Sequence, residues 1–68
     1  MSGLFGKLPD VVSIDRQIRA AKRELSMRAH KYPQWVSAGR MKQAEADEEI
    51  AAMRAIVETL QRVKESPR

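Results

Sequence analysis

At 68 residues, with 13 Lys and Arg against 9 Asp and Glu, one histidine and no cysteine, the chain has room for one domain and a thin core. A chain this short buries only about 60% of the surface its unfolded form exposes, and small folds of this kind commonly borrow stability from a disulfide, a metal or a second subunit. The composition removes disulfides, and the lone His30 has no clustered carboxylates with which to hold a metal, so a partner or a second copy is the remaining source.

The net charge of +4 is unevenly placed: residues 1–43 carry nine basic against three acidic side chains, residues 44–68 four against six. Such a surplus marks either an acidic partner or two helices whose opposite charges face each other. No apolar run approaches the roughly 18 residues a membrane span needs. The first ten residues hold one lysine and a very short apolar patch, unlike a secretory signal. Together these features predict a cytoplasmic protein with no membrane contact.

Residues 1–9 contain two glycines and a proline without helical period, and read as a flexible arm bearing Leu4, Phe5 and Leu8. That arm either folds back on the body or stays disordered, or else serves as a docking peptide. A single domain follows over 10–64, and 65–68 read as a frayed polar tail. The first helix begins at Asp10 or Ser13, either of which can cap free amides. Val11, Ile14, Ile18, Ala21 and Leu25 recur at steps of three and four, which places them on one stripe. Arg16, Arg19, Lys22, Arg23, Arg28 and Lys31 take the outer face. The helix is predicted to end near Lys31, because Pro33 lacks an amide donor and restricts its predecessor. Basic residues in that final turn would suit the negative end of the dipole.

Tyr32 to Gly39 reads as a short helical corner, with Pro33 opening it and Gly39 closing it in the left-handed conformation. Tyr32 and Trp35, the only tyrosine and tryptophan, either plug the end of the hairpin or leave Trp35 as an exposed anchor for a partner. The second helix is predicted from about Gln43 to Val63 or Lys64. Lys42 is a poor cap, with Glu45 placed to reach back to its amide and Met41 and Ala46 as a weak hydrophobic staple. Ala46, Ile50, Met53, Val57 and Leu60 form its stripe, which Ile56 and Val63 widen to a second edge. Asp47, Glu48 and Glu49 oppose the positive dipole end.

Two helices of roughly 20 residues, each about 30 Å long and joined by a short connection, should pack antiparallel. The predicted fold is therefore all-α: an antiparallel helical hairpin with Ile18, Leu25, Ile50, Met53 and Val57 as its core. Arg28 and Lys31 should then lie near Asp47, Glu48 and Glu49. Because the second stripe is wider than one helix can cover, Ile56 and Val63 are candidates for self-association, with two hairpins making a four-helix bundle.

No catalytic constellation is present: no nucleophile is placed to use His30, and Asp47, Glu48 and Glu49 read as a dipole match rather than an acid–base pair. No cofactor or small-molecule substrate is expected. Arg16, Arg19 and Arg23, at i, i+3 and i+7, could track a phosphate backbone, but they lack interleaved aromatics and a base-reading helix. Arg16, Arg19, Arg23, Tyr32 and Trp35 are the candidate partner-binding residues, facing either an acidic protein complex or nucleic acid.

The run Glu24-Leu25-Ser26-Met27-Arg28, then Tyr32-Pro33-Gln34-Trp35-Val36, Gly39-Arg40-Met41, and Ala46-Asp47 with Glu49-Ile50, Met53, Ala55 and Ile56, resembles small phage- and prophage-encoded helical proteins of proteobacteria. The resemblance spans about residues 14–63, and departs at Lys42, where Thr or Ser would be expected. It implies a phage or prophage setting, and by analogy with phage accessory proteins of this size, which commonly dock on host machinery, a non-enzymatic protein that inhibits or modulates a host complex, such as a defence system, in the host cytoplasm. A small nucleic-acid-binding protein and a purely structural homo-oligomer are the alternatives.

Overall fold

The computed structural model describes residues 11–66. The arm with Leu4, Phe5 and Leu8, Asp10 as a cap candidate and the last two residues lie outside the described residues. The chain forms two helices, α1 (Ile14–Ser37) and α2 (Gln43–Glu65), packed against each other as an antiparallel hairpin.

Ser13 starts α1. Its backbone is extended and its Oγ accepts from the Arg16 amide at 3.1 Å, satisfying one of the free donors of the first turn. Gln17 folds its side-chain amide back onto the Val12 carbonyl at 2.8 Å. Because the helix opens after Ser13, Val11 stands outside it and is 79% exposed rather than part of the core stripe.

The predicted end at Lys31 is overturned. α1 runs through Pro33 for four further residues, so Tyr32 and Trp35 sit in its last turns and not in a separate corner. Pro33 withholds one amide from the Ala29 carbonyl, and a proline inside a helix costs about 3 kcal/mol. Ala29 is exposed, so water can serve the orphaned carbonyl. Continuation keeps Tyr32 and Val36, both half-buried, on the line that Ile18, Ala21 and Leu25 begin. Burial of a large side chain stabilises by about 1.5–3 kcal/mol, enough to offset much of the local penalty. The extension also carries Arg28 and Lys31 inward, leaving the true last turn without a basic residue.

The chain leaves α1 through a Schellman motif. The Arg40 amide donates to the Trp35 carbonyl at 2.8 Å and the Gly39 amide to the Val36 carbonyl at 3.0 Å. Gly39 adopts φ 79°, as the sequence predicts for a closing glycine. A Cβ there would meet nothing within 4 Å, so the demand for glycine is conformational and not steric. α2 then begins without a side-chain cap at Lys42, and Glu45 makes no hydrogen bond back to it among the described residues. Gln43 instead donates to Asp47 at 2.8 Å.

The seam is narrow. Ile18, Ala21, Ala46, Met53 and Val57 are the buried hydrophobics, with Ala46 the most enclosed at 2% exposure. Ala21, Met53 and Val57 cluster, with Leu25 and Leu60 packed on them. Leu25 and Ile50, expected in the centre, are only partly buried, because a single facing helix cannot enclose a stripe on all sides.

Met53→Ala should lower stability by about 2 kcal/mol, whereas Arg54→Ala on the exposed side should stay within about 0.5 kcal/mol; urea unfolding followed by circular dichroism compares the two. Gly39→Ala should cost about 1–2 kcal/mol through the left-handed backbone alone, read in the same titration.

Candidate functional site

At 100° per residue, each side chain's direction follows from its distance along the helix from the buried line. Arg16, Arg19 and Arg23 lie about 130–170° from the Ile18–Ala21 line, on the side of α1 turned away from α2. All three are exposed, and none forms an ion pair within 4.0 Å among the described residues. With Ala20 and Glu24 they line an open depression of about 340 Å³. Ala20 supplies no side chain beyond its methyl, and the guanidinium groups stand around it. The structure thus gathers these three candidates into one basic face.

Tyr32 and Trp35 form a separate site. Their rings are 5.5 Å apart and tilted by 31°. Tyr32 continues the buried line and is half-buried, whereas Trp35 is 39% exposed. Trp35 lies about 18 Å further along α1 than Arg23, at 1.5 Å per residue, and well round the helix from the arginine face.

Trp35 shares a flank with the α2 candidates instead. The Arg28–Glu49 bridge identifies that flank on both helices. Arg28 donates from Nη1 to the Glu49 carbonyl at 3.0 Å and approaches Glu49 Oε1 at 3.5 Å. Trp35 is rotated from the α1 buried line in the same sense as Arg28, and Ile56 and Val63 from the α2 line in the same sense as Glu49, each by about 70–100°. Ile56 is 48% and Val63 57% exposed in the single hairpin. The opposite flank carries Lys22, Asp47, Arg54 and Glu58, all exposed and charged.

Among the described residues two ion pairs join the helices. Near the connection, Arg28 also donates from Nε to Glu24 at 3.0 Å, and that bond raises the guanidinium pKa. Of the expected contacts between the end of the first helix and the acidic start of the second, Arg28–Glu49 forms. Lys31 pairs with no carboxylate among the described residues, because the prolonged α1 places it off the seam, and Asp47 is taken by Gln43. At the open end Lys64 meets Asp15 at 2.6 Å, a contact the sequence reading missed because neither residue belongs to an apolar stripe.

Among the described residues no group of three His, Cys, Asp or Glu side chains gathers to hold a metal, and no helix is long and apolar enough to cross a membrane. His30 lies on the exposed side of α1, its Nε2 3.4 Å from the Gln34 amide nitrogen. No protein-family model matches the chain, and no curated protein or solved structure was found to match it either.

The hydrogen bond from Lys64, reinforced by its charge, holds the Asp15 carboxyl below its ordinary value. A depressed carboxyl pKa stabilises the fold above the unfolded value and ceases to do so as pH falls through the folded one. The thermal midpoint of Asp15→Asn should therefore lie below wild type at neutral pH, with the gap closing as pH falls through the lowered pKa of the folded state. A pH series of melting curves measures it.

Proposed function

We propose that this chain is a non-enzymatic protein-binding module, an accessory protein of the phage type that modulates a host complex in the cytoplasm by occupying an acidic surface on it. The observation that carries the reading is the solvent-facing set of Arg16, Arg19 and Arg23, which α2 neither covers nor neutralises. Arginines held on one rigid helix face present forked donors to carboxylates at little cost in ordering. The likeness to small phage- and prophage-encoded helical proteins supplies the setting. In this reading the docking unit is a pair of hairpins in a four-helix bundle, with the α1 faces outermost.

Nucleic acid is the second reading, favoured by the i, i+3, i+7 spacing of the arginines. Protein is preferred because the exposed Met27 extends the face with apolar surface.

Association with an acidic protein should weaken at least about tenfold when Arg16, Arg19 and Arg23 are all replaced by alanine, with a mild salt dependence. Trp35→Ala should cost about 2 kcal/mol if the partner also reaches the flank. Titration calorimetry against candidate host complexes, with duplex DNA in parallel, separates the readings. A log–log salt slope of roughly −2 to −3 on DNA, indifferent to sequence, would favour phosphate contacts. Unchanged binding by the triple arginine variant would reject this face.

A further inference from the structure

One strip of α2 is left over by both the core and the arginine face: Glu45, Glu49, Ala52, Ile56, Thr59 and Val63 recur at steps of four and three along a single line. All six are exposed. They lie on the flank of the Arg28–Glu49 bridge, about 60–140° from the buried line of α2. Two large apolar side chains thus stand in water on the less charged side of a hairpin whose core is only five residues deep.

We propose that this strip is the seam of a homodimer, in which α2 packs antiparallel against α2 of a second copy in one definite register. The proposal deepens the four-helix reading above and rests on it. The order of residues along the strip selects a second copy as the occupant, because it complements itself when reversed. With the two-fold axis passing at the level of Arg54, Ala52 faces Ile56 of the second copy and Ile56 faces its Ala52. Each isoleucine then fills the space above an alanine, as close helix packing requires. One step outward Glu49 faces Thr59. Glu49 Oε1 approaches Arg28, which leaves its other carboxylate oxygen to accept, and Thr59 Oγ1 accepts from Arg62 at 3.4 Å, which leaves its hydroxyl to donate. At each end Glu45 faces Val63, beside Arg62.

Charge points the same way. α2 has an acidic first turn with Glu45 and a basic last turn with Arg62 and Lys64. An antiparallel pair brings each acidic start beside the basic end of its neighbour and opposes the two helix dipoles, whereas a parallel pair would stack like charge on like. Glu45 and Glu49 on the strip also disfavour a nucleic acid or an anionic lipid surface there. The pairing leaves the arginine face of α1 uncovered on both copies.

The test uses the whole chain. Sedimentation equilibrium at about 100 µM should return twice the 7.7 kDa chain mass. Ile56→Glu, at a position already half exposed in the single hairpin, should keep its helical circular dichroism while weakening dimerisation about 100-fold or more, since it would bury an unpaired carboxylate. The register is read by crosslinking, which the cysteine-free sequence makes clean. Ala52→Cys and Ile56→Cys should each form little disulfide alone, because like positions are offset by about 6 Å along the axis. An equimolar mixture of the two should form the crossed disulfide efficiently on mild oxidation. A wild-type monomer at that concentration overturns the dimer without touching the α1 reading, which its own variants test. A dimer that survives Ile56→Glu, or a mixture that links no better than the single variants, overturns this register.

Discussion

Two helices laid side by side can hide only one strip of each, and most features of this molecule follow from that limit. Ile18 and Ala21 on α1 and Ala46, Met53 and Val57 on α2 use up the available seam. Even Leu25 on the line stays partly in water, as does Ile50 beside it, and Ile56 and Val63, well off it, are largely exposed. The stability available from so narrow a core is small, so every device that prolongs or fastens the seam matters more than it would in a larger domain.

The hairpin shows three such devices. α1 continues across Pro33, against its local cost, and so lengthens the buried line through Tyr32 and Val36. The Schellman turn at Gly39 satisfies the carbonyls of Trp35 and Val36 and reverses the chain without a long loop. Arg28 ties α1 to α2 near the connection by a charged donor on a backbone carbonyl, and Lys64–Asp15 joins the helices at the open end. An exposed ion pair contributes at most about 1 kcal/mol, so these contacts define register more than they supply stability.

The same geometry divides the surface into faces with different chemistry. α1 turns three exposed arginines outward, one flank carries Trp35, Ile56 and Val63, and the other is an ordinary charged exterior. A basic face on the outside and an apolar flank at the side do not compete for the same space. The proposed self-assembly through the flank and the proposed docking through the arginines are therefore compatible in one small molecule, and assembly would present two copies of the basic face.

The sequence by itself determined the all-α hairpin, the start of α1 to within Asp10 or Ser13, the glycine that ends the turn and most of both apolar stripes, because a 3.6-residue period and cap chemistry are local properties. It also marked Arg16, Arg19 and Arg23 as a group, since their spacing alone puts them on one face. It did not fix the end of α1. The penalty of Pro33 is visible in the sequence, but the compensating line through Tyr32 and Val36 gains its value only against α2. Nor did it separate Trp35 from the arginines, because that depends on helix continuing through residue 35 and not on nearness along the chain. The Asp15–Lys64 pair and the common flank of Trp35, Ile56 and Val63 likewise come from register between helices. Register is decided by how two whole surfaces fit, Ala21 and Ala46 among them, and no local pattern carries it.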